Sequence, residues 1–264
     1  MTTYVHGYNS HESRRLTDQA QTLADLLHAG TAYPPGSRVL EVGCGVGAQT
    51  VHLVRSSPGA RITSVDVDES SLAQARARLP GHDFRHADLF DIGLFDTDGA
   101  YDHAFVCFVL EHLADPAAAL ARLRRLVRPG GTVTVIEGDH GSAFFHPDDP
   151  AAHRVIDCLV TLQRDAGGDG LIGRRVEPLL TAAGFRDVHT RPCTVYADST
   201  RPGLVEGFTR NTFTAMVAGV RDEALAAGLV TETQWRQGIE ALERTAAPGG
   251  TFHYAFFKGV ATNP

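Results

Sequence analysis

Residues 39–47 read Val39-Leu40-Glu41-Val42-Gly43-Cys44-Gly45-Val46-Gly47. The apolar first half of this stretch predicts a buried strand, and the alternating glycines predict a tight turn that leads into a helix. Glycine adopts positive φ at little cost and lets the backbone approach a ligand closely. The helix that follows presents unpaired N–H groups and the positive end of its dipole. The stretch therefore predicts a ligand-binding site at the end of a strand.

The residues beside the glycines narrow the choice of ligand. Glu41 directly precedes them, and a negative side chain there disfavours a polyphosphate and suits a cationic group. The spacing departs from the dinucleotide pattern G-x-G-x-x-G, because the third glycine is Gly47 and Ala48 follows it. The last position of that pattern does accept alanine. A nicotinamide- or flavin-binding fold therefore stays open on this motif alone.

Two acidic residues follow the next predicted strands. Asp66 lies in the segment 65–68 that ends the apolar run 61–67, 19 residues beyond Gly47, where a doubly wound fold places the carboxylate that binds a ribose. Asp88 follows the next short strand, in a position to meet an adenine amino group. Asp68 is better explained as a helix cap, because Glu69, Ser70 and Ser71 follow it.

Strands and helices alternate along the chain. The predicted strands are 38–42, 61–66, 83–86, 101–107, 132–138, 185–189 and 251–260. The predicted helices are 12–28, 48–56, 69–79, 116–127, 147–166, 174–183, 203–226 and 232–246. The alternation up to Gly138 predicts a parallel sheet with helices on both faces, and such sheets bind ligands at the carboxyl ends of their strands.

Taken in order, these motifs closely resemble the class I S-adenosylmethionine-dependent methyltransferases over residues 36–190. The resemblance is carried by the glycine loop, the acids, the run 102–108 and the stretch Leu126-Val127-Arg128-Pro129-Gly130-Gly131-Thr132-Val133. It implies an α/β fold with a doubly wound, seven-stranded, mostly parallel sheet, an antiparallel edge strand and a helical lid. It also implies S-adenosylmethionine as the cofactor.

The resemblance further implies a division of the chain into four segments. In the family the last two strands form an antiparallel hairpin, so about 50 residues are inserted between them in this chain. The implied segments are an arm and helix that belong to the lid at 1–35, a cofactor-binding core at 36–200, a helical lid insertion at 201–248 and a last core strand at 249–264.

The implied cofactor site follows the family residue by residue. Glu41 would position the methionine ammonium group or its loop, the glycines would leave room for the nucleoside, and Asp66 would bind the ribose hydroxyls. Asp88 and the backbone of Leu89 would meet the adenine. The predicted cofactor-binding residues are Arg15, Glu41, Gly43, Gly45, Gly47, Gln49, Asp66, Val67, Asp88, Leu89, Cys107 and Phe108.

The acceptor is less constrained than the cofactor. Family members that methylate amides or exocyclic base amines carry Asn/Asp-Pro-Pro-Tyr where this chain has Cys107-Phe108-Val109-Leu110. This difference favours a small-molecule or carboxylate acceptor. Glu111 and His112 are expected to begin the next helix and to face the same crevice. The candidate general bases are His112, His140, Tyr4 and Tyr8.

Composition limits the partners. The net charge of −7 argues against a nucleic-acid partner, which normally requires a basic face. No apolar run reaches the roughly 18 residues that a membrane helix needs. The four cysteines have neither metal nor disulfide spacing, and the histidines 140, 146 and 153 match no ligand signature, so no metal is predicted. These features predict a cytoplasmic protein that acts on a small molecule or a peptide, with no preference for an oligomeric state.

Three alternatives remain open at this point. The arm Tyr4-Val5-His6-Gly7-Tyr8, the segment 137–141 and the lid also resemble a narrower set of bacterial natural-product methyltransferases, some of which methylate the C-terminal carboxylate of ribosomally made peptides. A nucleotide-binding oxidoreductase would bind NAD(P) instead. A cofactor-binding protein without catalysis would bind S-adenosylmethionine and show no turnover.

Overall fold

The computed structural model describes residues 10–91 and 99–264, which form one eight-stranded sheet with helices on both faces. The strands are β1 (Arg38–Val42), β2 (Arg61–Asp66), β3 (Asp83–His86), β4 (Tyr101–Cys107), β5 (Val127–Gly138), β6 (Phe144–His146), β7 (Arg186–Ala197) and β8 (Thr251–Thr262).

The sheet has a parallel part and an antiparallel part. β3, β2, β1, β4 and β5 are parallel neighbours in that order. β8 is antiparallel to β5 and β6 on one side and to β7 on the other. Because β1 lies between β2 and β4, the strand order reverses there, and the crevice outside the carboxyl ends of β1 and β4 is the expected ligand site.

Ten helical segments surround the sheet in the part of the chain that the structure describes. They are α1 (Ser10–Leu27), α2 (Ala48–Ser56), α3 (Glu69–Arg78), α4 (Pro116–Leu126), α5 (Pro150–Asp165), α6 (Val176–Ala182), α7 (Pro202–Leu204), α8 (Ala215–Ala218), α9 (Arg221–Ala226) and α10 (Glu232–Thr245). A π-helical segment, Val205–Thr214, joins α7 to α8 without a break. Every helix of residues 10–91 and 99–264 is too short or too polar to span a bilayer.

Local sequence signals fix several helix starts. The carboxylates of Asp68, Asp115 and Asp149 each accept a hydrogen bond from a backbone N–H in the first turn of α3, α4 and α5. Prolines 116 and 150 occupy the first helical position, where a missing N–H costs nothing. Thr231 and Gln234 form a capping box at α10.

The two faces of the sheet pack against different helices. On one face, Phe105 of β4 packs in a core with residues of α1, α5 and α10. On the other face, its neighbours Ala104 and Val106 pack in a core with residues of α4 and α6. Both faces of the central strands are therefore buried, which explains why the middle of these strands is mainly apolar.

The predicted fold class is confirmed. Besides shifts of one to five residues at the ends of elements such as β5 and α5, the elements differ from the predictions in four places. β7 extends to Ala197 because it pairs with β8 along almost its whole length. The short strand β6 was not predicted. Leu110–His112 is a separate 3₁₀ turn rather than the start of a helix, since α4 begins at Pro116 with its own cap. The predicted helix 203–226 is interrupted by the π-helical segment and by Gly219 and Val220 before α9.

Candidate functional site

A cavity of ≈ 650 Å³ lies outside the carboxyl ends of the parallel strands. Its floor comes from the glycine loop after β1 and from residues that follow β2, β3, β4 and β5. Its other walls come from α1, the π-helical segment, α8 and β8. The volume is within the roughly 300–1,000 Å³ typical of sites that enclose a small molecule.

The glycine loop needs glycine for two different reasons. Gly43, Gly45 and Gly47 have φ of 70°, 51° and 73°, in the left-handed region that side chains disfavour. A Cβ at Gly43 would clash with Val109, and a Cβ at Gly47 would press on Ala75 at 3.0 Å. A Cβ at Gly45, which lines the cavity, would meet nothing within 4 Å. The flanking glycines permit packing, whereas Gly45 keeps the cavity floor open.

Asp66 holds the loop and faces the cavity. Its Oδ2 accepts a hydrogen bond from the N–H of Gly45 at 2.7 Å, and its Oδ1 accepts one from the N–H of Asp68 at 2.9 Å. Burial raises the pKa of this carboxyl above its ordinary value, and the backbone donors oppose that rise. Each carboxylate oxygen can accept a further hydrogen bond, so Asp66 can bind a diol while it fixes the loop.

Glu41 lies behind the loop and not in the cavity wall. Its Oε2 accepts hydrogen bonds from the hydroxyls of Thr50 at 2.7 Å and Ser64 at 2.6 Å. Burial raises the pKa of Glu41 to about 7, and these two hydroxyls oppose the rise. Glu41 therefore links β1, β2 and α2 beneath the glycines.

The end of β4 adds a strained residue to the floor. Phe108 has φ of 60°, which is uncommon for a residue other than glycine and is typical of functional sites. Its N–H donates to the carbonyl of Ile136 at 2.9 Å, which holds the turn against β5. Cys107 is buried at the same end of the strand. Both residues line the cavity.

The structure brings most of the predicted cofactor residues together. The cavity wall contains Arg15, Gly43, Gly45, Gln49, Asp66, Val67, Asp88, Cys107 and Phe108. Glu41, Gly47 and Leu89 are not in it. The side chain of Leu89 points into the core around α4, and its carbonyl accepts a hydrogen bond from Arg122 at 3.4 Å, whereas its neighbours Asp88 and Phe90 line the cavity.

The opposite end of the cavity carries titratable groups. His112 Nε2 lies 3.5 Å from Glu111 Oε1, and His140 Nε2 lies 3.8 Å from Glu111 Oε2. His140 Nδ1 shares a hydrogen bond of 2.8 Å with the hydroxyl of Tyr254. All four residues line the cavity. Tyr4 and Tyr8, the other two candidate bases, lie outside the described residues.

Several cavity residues were missed by the sequence analysis. Phe208 and Phe213 of the π-helical segment and Tyr254 and Phe256 of β8 form an aromatic wall, with ring centroids 4.8–6.4 Å apart. The alternation of Phe252, Tyr254 and Phe256 signals one shared face of a strand. Only the topology shows that this face closes the cavity.

Metal binding finds no support in the described part of the chain. Residues 10–91 and 99–264 contain no cluster of three His, Cys, Asp or Glu side chains that could hold a metal ion. All four cysteines are buried free thiols.

Known proteins match this chain in sequence. Residues 40–133 match a family model described as a methyltransferase domain. An uncharacterized 37.1 kDa protein in transposon TN4556 of Streptomyces fradiae is 34% identical over 77% of this chain and 59% of that protein. Trans-aconitate 2-methyltransferase of Methylobacterium nodulans is 36% identical over 45% of this chain and 44% of that protein. The enzyme of that name from Deinococcus radiodurans is 27% identical over 69% of this chain and 67% of that protein. The chain therefore spans about half to two thirds of these curated relatives.

Solved structures match the fold. Phosphoethanolamine N-methyltransferase 2 of Haemonchus contortus, in complex with S-adenosyl-L-methionine, has a TM-score of 0.56 at 16% identity, covering 92% of this chain and 52% of that chain. The [4+2]-cyclase SpnF has a TM-score of 0.57 at 22% identity, covering 92% of this chain and 80% of that chain. At these identities the likeness shows the fold alone.

The residues of the cavity fit the cofactor of this family. The floor is open at Gly45, where a Cβ would meet nothing, and Asp66 faces the same space with two carboxylate oxygens. Asp88, Phe90 and Phe108 line the same cavity. Residues 40–133 therefore belong to a methyltransferase domain, and the chain has the fold of the class I S-adenosylmethionine-dependent methyltransferases.

Proposed function

We propose that this protein transfers the methyl group of S-adenosylmethionine to a small molecule that binds in the same cavity. The observation that carries the proposal is the cavity itself. Its floor contains Gly45, Asp66 and Phe108, and its far end contains titratable groups within reach of an acceptor. The cofactor and an acceptor can therefore be bound side by side in this cavity.

The residues of the chain serve mainly to align the reactants. The sulfonium of the bound cofactor supplies an electrophilic methyl group. Asp66 and the glycine loop would hold the nucleoside, while the aromatic wall would orient the acceptor and exclude water. Alignment of two bound reactants can supply several orders of magnitude in rate.

Three features support a small acceptor. In the described part of the chain the cavity is walled by α1 and the π-helical segment, and its volume of ≈ 650 Å³ suits a small molecule. The net charge of −7 disfavours nucleic acid. The relatives named trans-aconitate 2-methyltransferase carry the name of a small-molecule substrate. The division into core and lid, the role in natural-product biosynthesis and the cytoplasmic location stay predictions.

Methyl transfer can be tested before the acceptor is identified. The protein is incubated with [methyl-¹³C]S-adenosylmethionine and the small-molecule fraction of a bacterial extract, and labelled products and S-adenosylhomocysteine are measured by mass spectrometry. We expect label in one or a few small molecules. Label only in RNA or in internal side chains of large proteins would contradict the proposal, as would cofactor binding without any labelled product.

A matched pair of glycine variants ties this activity to the cavity. Gly45→Val should abolish cofactor binding in isothermal titration calorimetry, because a branched side chain would fill the cavity floor. Gly81 also has positive φ, and a Cβ there would meet nothing within 4 Å, but it lies outside the cavity wall. Gly81→Val therefore carries the same backbone penalty and should bind the cofactor normally. Equal binding by both variants would remove the glycine loop from the site.

A further inference from the structure

Four side chains of the cavity wall form one connected chain. Glu111 is at its centre, with one oxygen 3.5 Å from His112 Nε2 and the other 3.8 Å from His140 Nε2; the second separation is a charge contact and not a hydrogen bond. Tyr254 ends the chain through its 2.8 Å hydrogen bond to His140 Nδ1. The side chain of His112 is 22% exposed, whereas those of His140 and Tyr254 are buried. His112 is therefore the member of the chain that an acceptor reaches most easily.

The surroundings set the direction of the hydrogen bonds. Burial lowers the pKa of His140 and raises the pKa of Tyr254, so the imidazole is neutral and the phenol keeps its proton. The Tyr254 hydroxyl then donates to His140 Nδ1, which places the proton of His140 on Nε2, facing Glu111. In the same way, a proton on His112 Nε2 faces Glu111 Oε1 and leaves Nδ1 as the basic atom.

A second carboxyl group fixes the charge and the position of Glu111. Glu137 Oε1 accepts hydrogen bonds from the N–H groups of Val109 at 3.1 Å and Leu110 at 2.8 Å, and so holds the turn that carries Glu111 and His112. Burial, followed by the charge of Glu111, raises the pKa of Glu137 well above its usual range. Glu137 is therefore less readily ionised than an exposed glutamate, which favours the negative charge on Glu111.

We propose that His112 is the general base of the transferase, that Glu111, His140 and Tyr254 are the residues that position it, and that the acceptor is a hydroxyl compound. This inference rests on the proposed function, because a base is needed only if methyl transfer occurs. The acceptor oxygen attacks the methyl carbon, a new C–O bond forms, and the S–C bond breaks with its electron pair going to sulfur. The hydroxyl proton passes to His112 Nδ1, and Glu111 stabilises the imidazolium that results.

The charges of the cavity favour a hydroxyl acceptor over a carboxylate. A carboxylate attacks the methyl group without a base, so His112 and the three residues that position it would have no role in that reaction. Its negative charge would also face Glu111 at the reacting end. The other titratable or charged groups that face the chain are Arg15 on α1 and Glu137 and Asp139 at the end of β5. Of these only Arg15 is cationic.

The positioning chain can be tested without an acceptor. In protein labelled with ¹⁵N and ¹³C at histidine, the NMR signals of His112 are identified by their loss in His112→Gln. We expect the Nε2–H tautomer above neutral pH, and we expect the pKa of His112 to fall by about one unit in Glu111→Gln. Tyr254→Phe should shift it in the same direction by less, and it serves as the second variant if Glu111→Gln does not fold. An Nδ1–H tautomer, or a pKa unchanged in these variants, would overturn the assignment.

The base and the acceptor class are tested on the product found with labelled cofactor. His112→Gln should lower kcat about a hundredfold or more and change the cofactor Kd less than about twofold. His153→Gln is the matched control, because His153 also lies against a carboxylate, 2.7 Å from Asp148, but outside the cavity wall. It should leave kcat unchanged.

The product separates this inference from the proposed function. An O-methyl ether resists mild alkali and shows the ¹³C shift of a methoxy group, whereas a methyl ester is hydrolysed. A base-labile product, an N-methyl product or full activity of His112→Gln would overturn the inference and leave methyl transfer intact. If no labelled product forms, the proposed function and the acceptor assignment are both wrong. The NMR experiment still tests whether Glu111, His140 and Tyr254 position His112.

Discussion

At the scale of single residues, two neighbouring carboxylates of β2 and its following turn have different tasks. Asp66 lines the cavity and binds the N–H of Gly45, whereas Asp68 caps α3 through the N–H of Ser71 at 2.7 Å. Asp66→Ala should weaken S-adenosylmethionine binding at least tenfold, because charge-assisted hydrogen bonds to a ribose contribute roughly 1.5–3 kcal/mol each. Isothermal titration calorimetry measures the loss.

Asp68→Ala is the control for Asp66→Ala. Loss of a helix cap costs about 1 kcal/mol of folding stability, so this variant should melt earlier and bind the cofactor as the wild type does. Thermal denaturation beside the titration separates the two effects. If Asp66→Ala binds the cofactor as tightly as the wild type does, the Asp66 carboxylate holds the glycine loop but does not bind the cofactor.

Individual site residues can be predicted from the sequence only where a motif gives their position. Gly45, Asp66 and Asp88 follow strand ends that can be located in the sequence, and all three line the cavity. Glu41 lies beneath the glycine loop, where it accepts hydrogen bonds from Thr50 and Ser64, and Leu89 lies in a turn with its side chain in the core around α4. Glu111 and Tyr254 belong to segments more than 140 residues apart, so their meeting at one imidazole has no local signal.

At the scale of elements, prediction was most accurate where short-range signals act. The bounds of β1 to β4 and α2 agree with the predicted ranges, because apolar runs, caps and turns mark them. β7 was predicted too short, because its alternating exposed residues become a strand only through pairing with β8. The π-helical segment also has no sequence signature, since one extra residue per turn is decided by packing.

Packing of α1 against the π-helical segment gives a prediction at this scale. Gly207 lies against Thr22 of α1 so closely that a Cβ would overlap the threonine side chain. Gly207→Ala should therefore separate the two elements that wall the acceptor end, cost about 1–3 kcal/mol of stability and raise the KM for the acceptor. Urea unfolding and steady-state kinetics measure these changes.

A glycine on the same helical run provides the control. A Cβ at Gly203 would meet nothing within 4 Å, and alanine is a better helix former than glycine by about 1 kcal/mol. Gly203→Ala should therefore keep or increase stability with unchanged KM. Equal stability and equal KM in the two alanine variants would contradict close packing of Gly207 against Thr22.

At the scale of the whole molecule, α1 is attached to the far end of the chain. Lys258 of β8 is buried, and its Nζ donates to the carbonyls of Leu27 at 2.9 Å and Ala29 at 3.0 Å and to the hydroxyl of Thr31. These bonds satisfy carbonyls at the C-terminus of α1 that have no partner within the helix. The helix that contributes Arg15 to the cavity is thus held by the last strand of the sheet.

Two groups on this framework, the partly buried His28 and the buried Glu41, should give the free energy of unfolding opposing pH dependences. Burial lowers the pKa of His28 from 6.5 to about 4, although its hydrogen bond to Gln49 opposes the shift. The unfolded chain therefore binds more protons at His28 between pH 4 and 6.5, and this contribution to stability is lost as pH falls through that window. Burial raises the pKa of Glu41 from 4.5 to about 7. The folded chain binds more protons there, and that contribution is lost as pH rises from 4.5 to 7.

Neutral variants should reveal each slope separately. Urea unfolding without cofactor gives the free energy of unfolding of each variant relative to the wild type, in which all other titrations cancel. Relative to the wild type, the free energy of unfolding of His28→Gln should increase by about 2 kcal/mol as pH falls from about 8 to about 5. That of Glu41→Gln should increase by about as much as pH rises over the same interval. In the wild type the contributions of these two groups to the free energy of unfolding should nearly cancel over this pH range, because they change with pH in opposite directions. If neither variant's difference in free energy of unfolding changes with pH, then neither group has the shifted pKa that its environment implies.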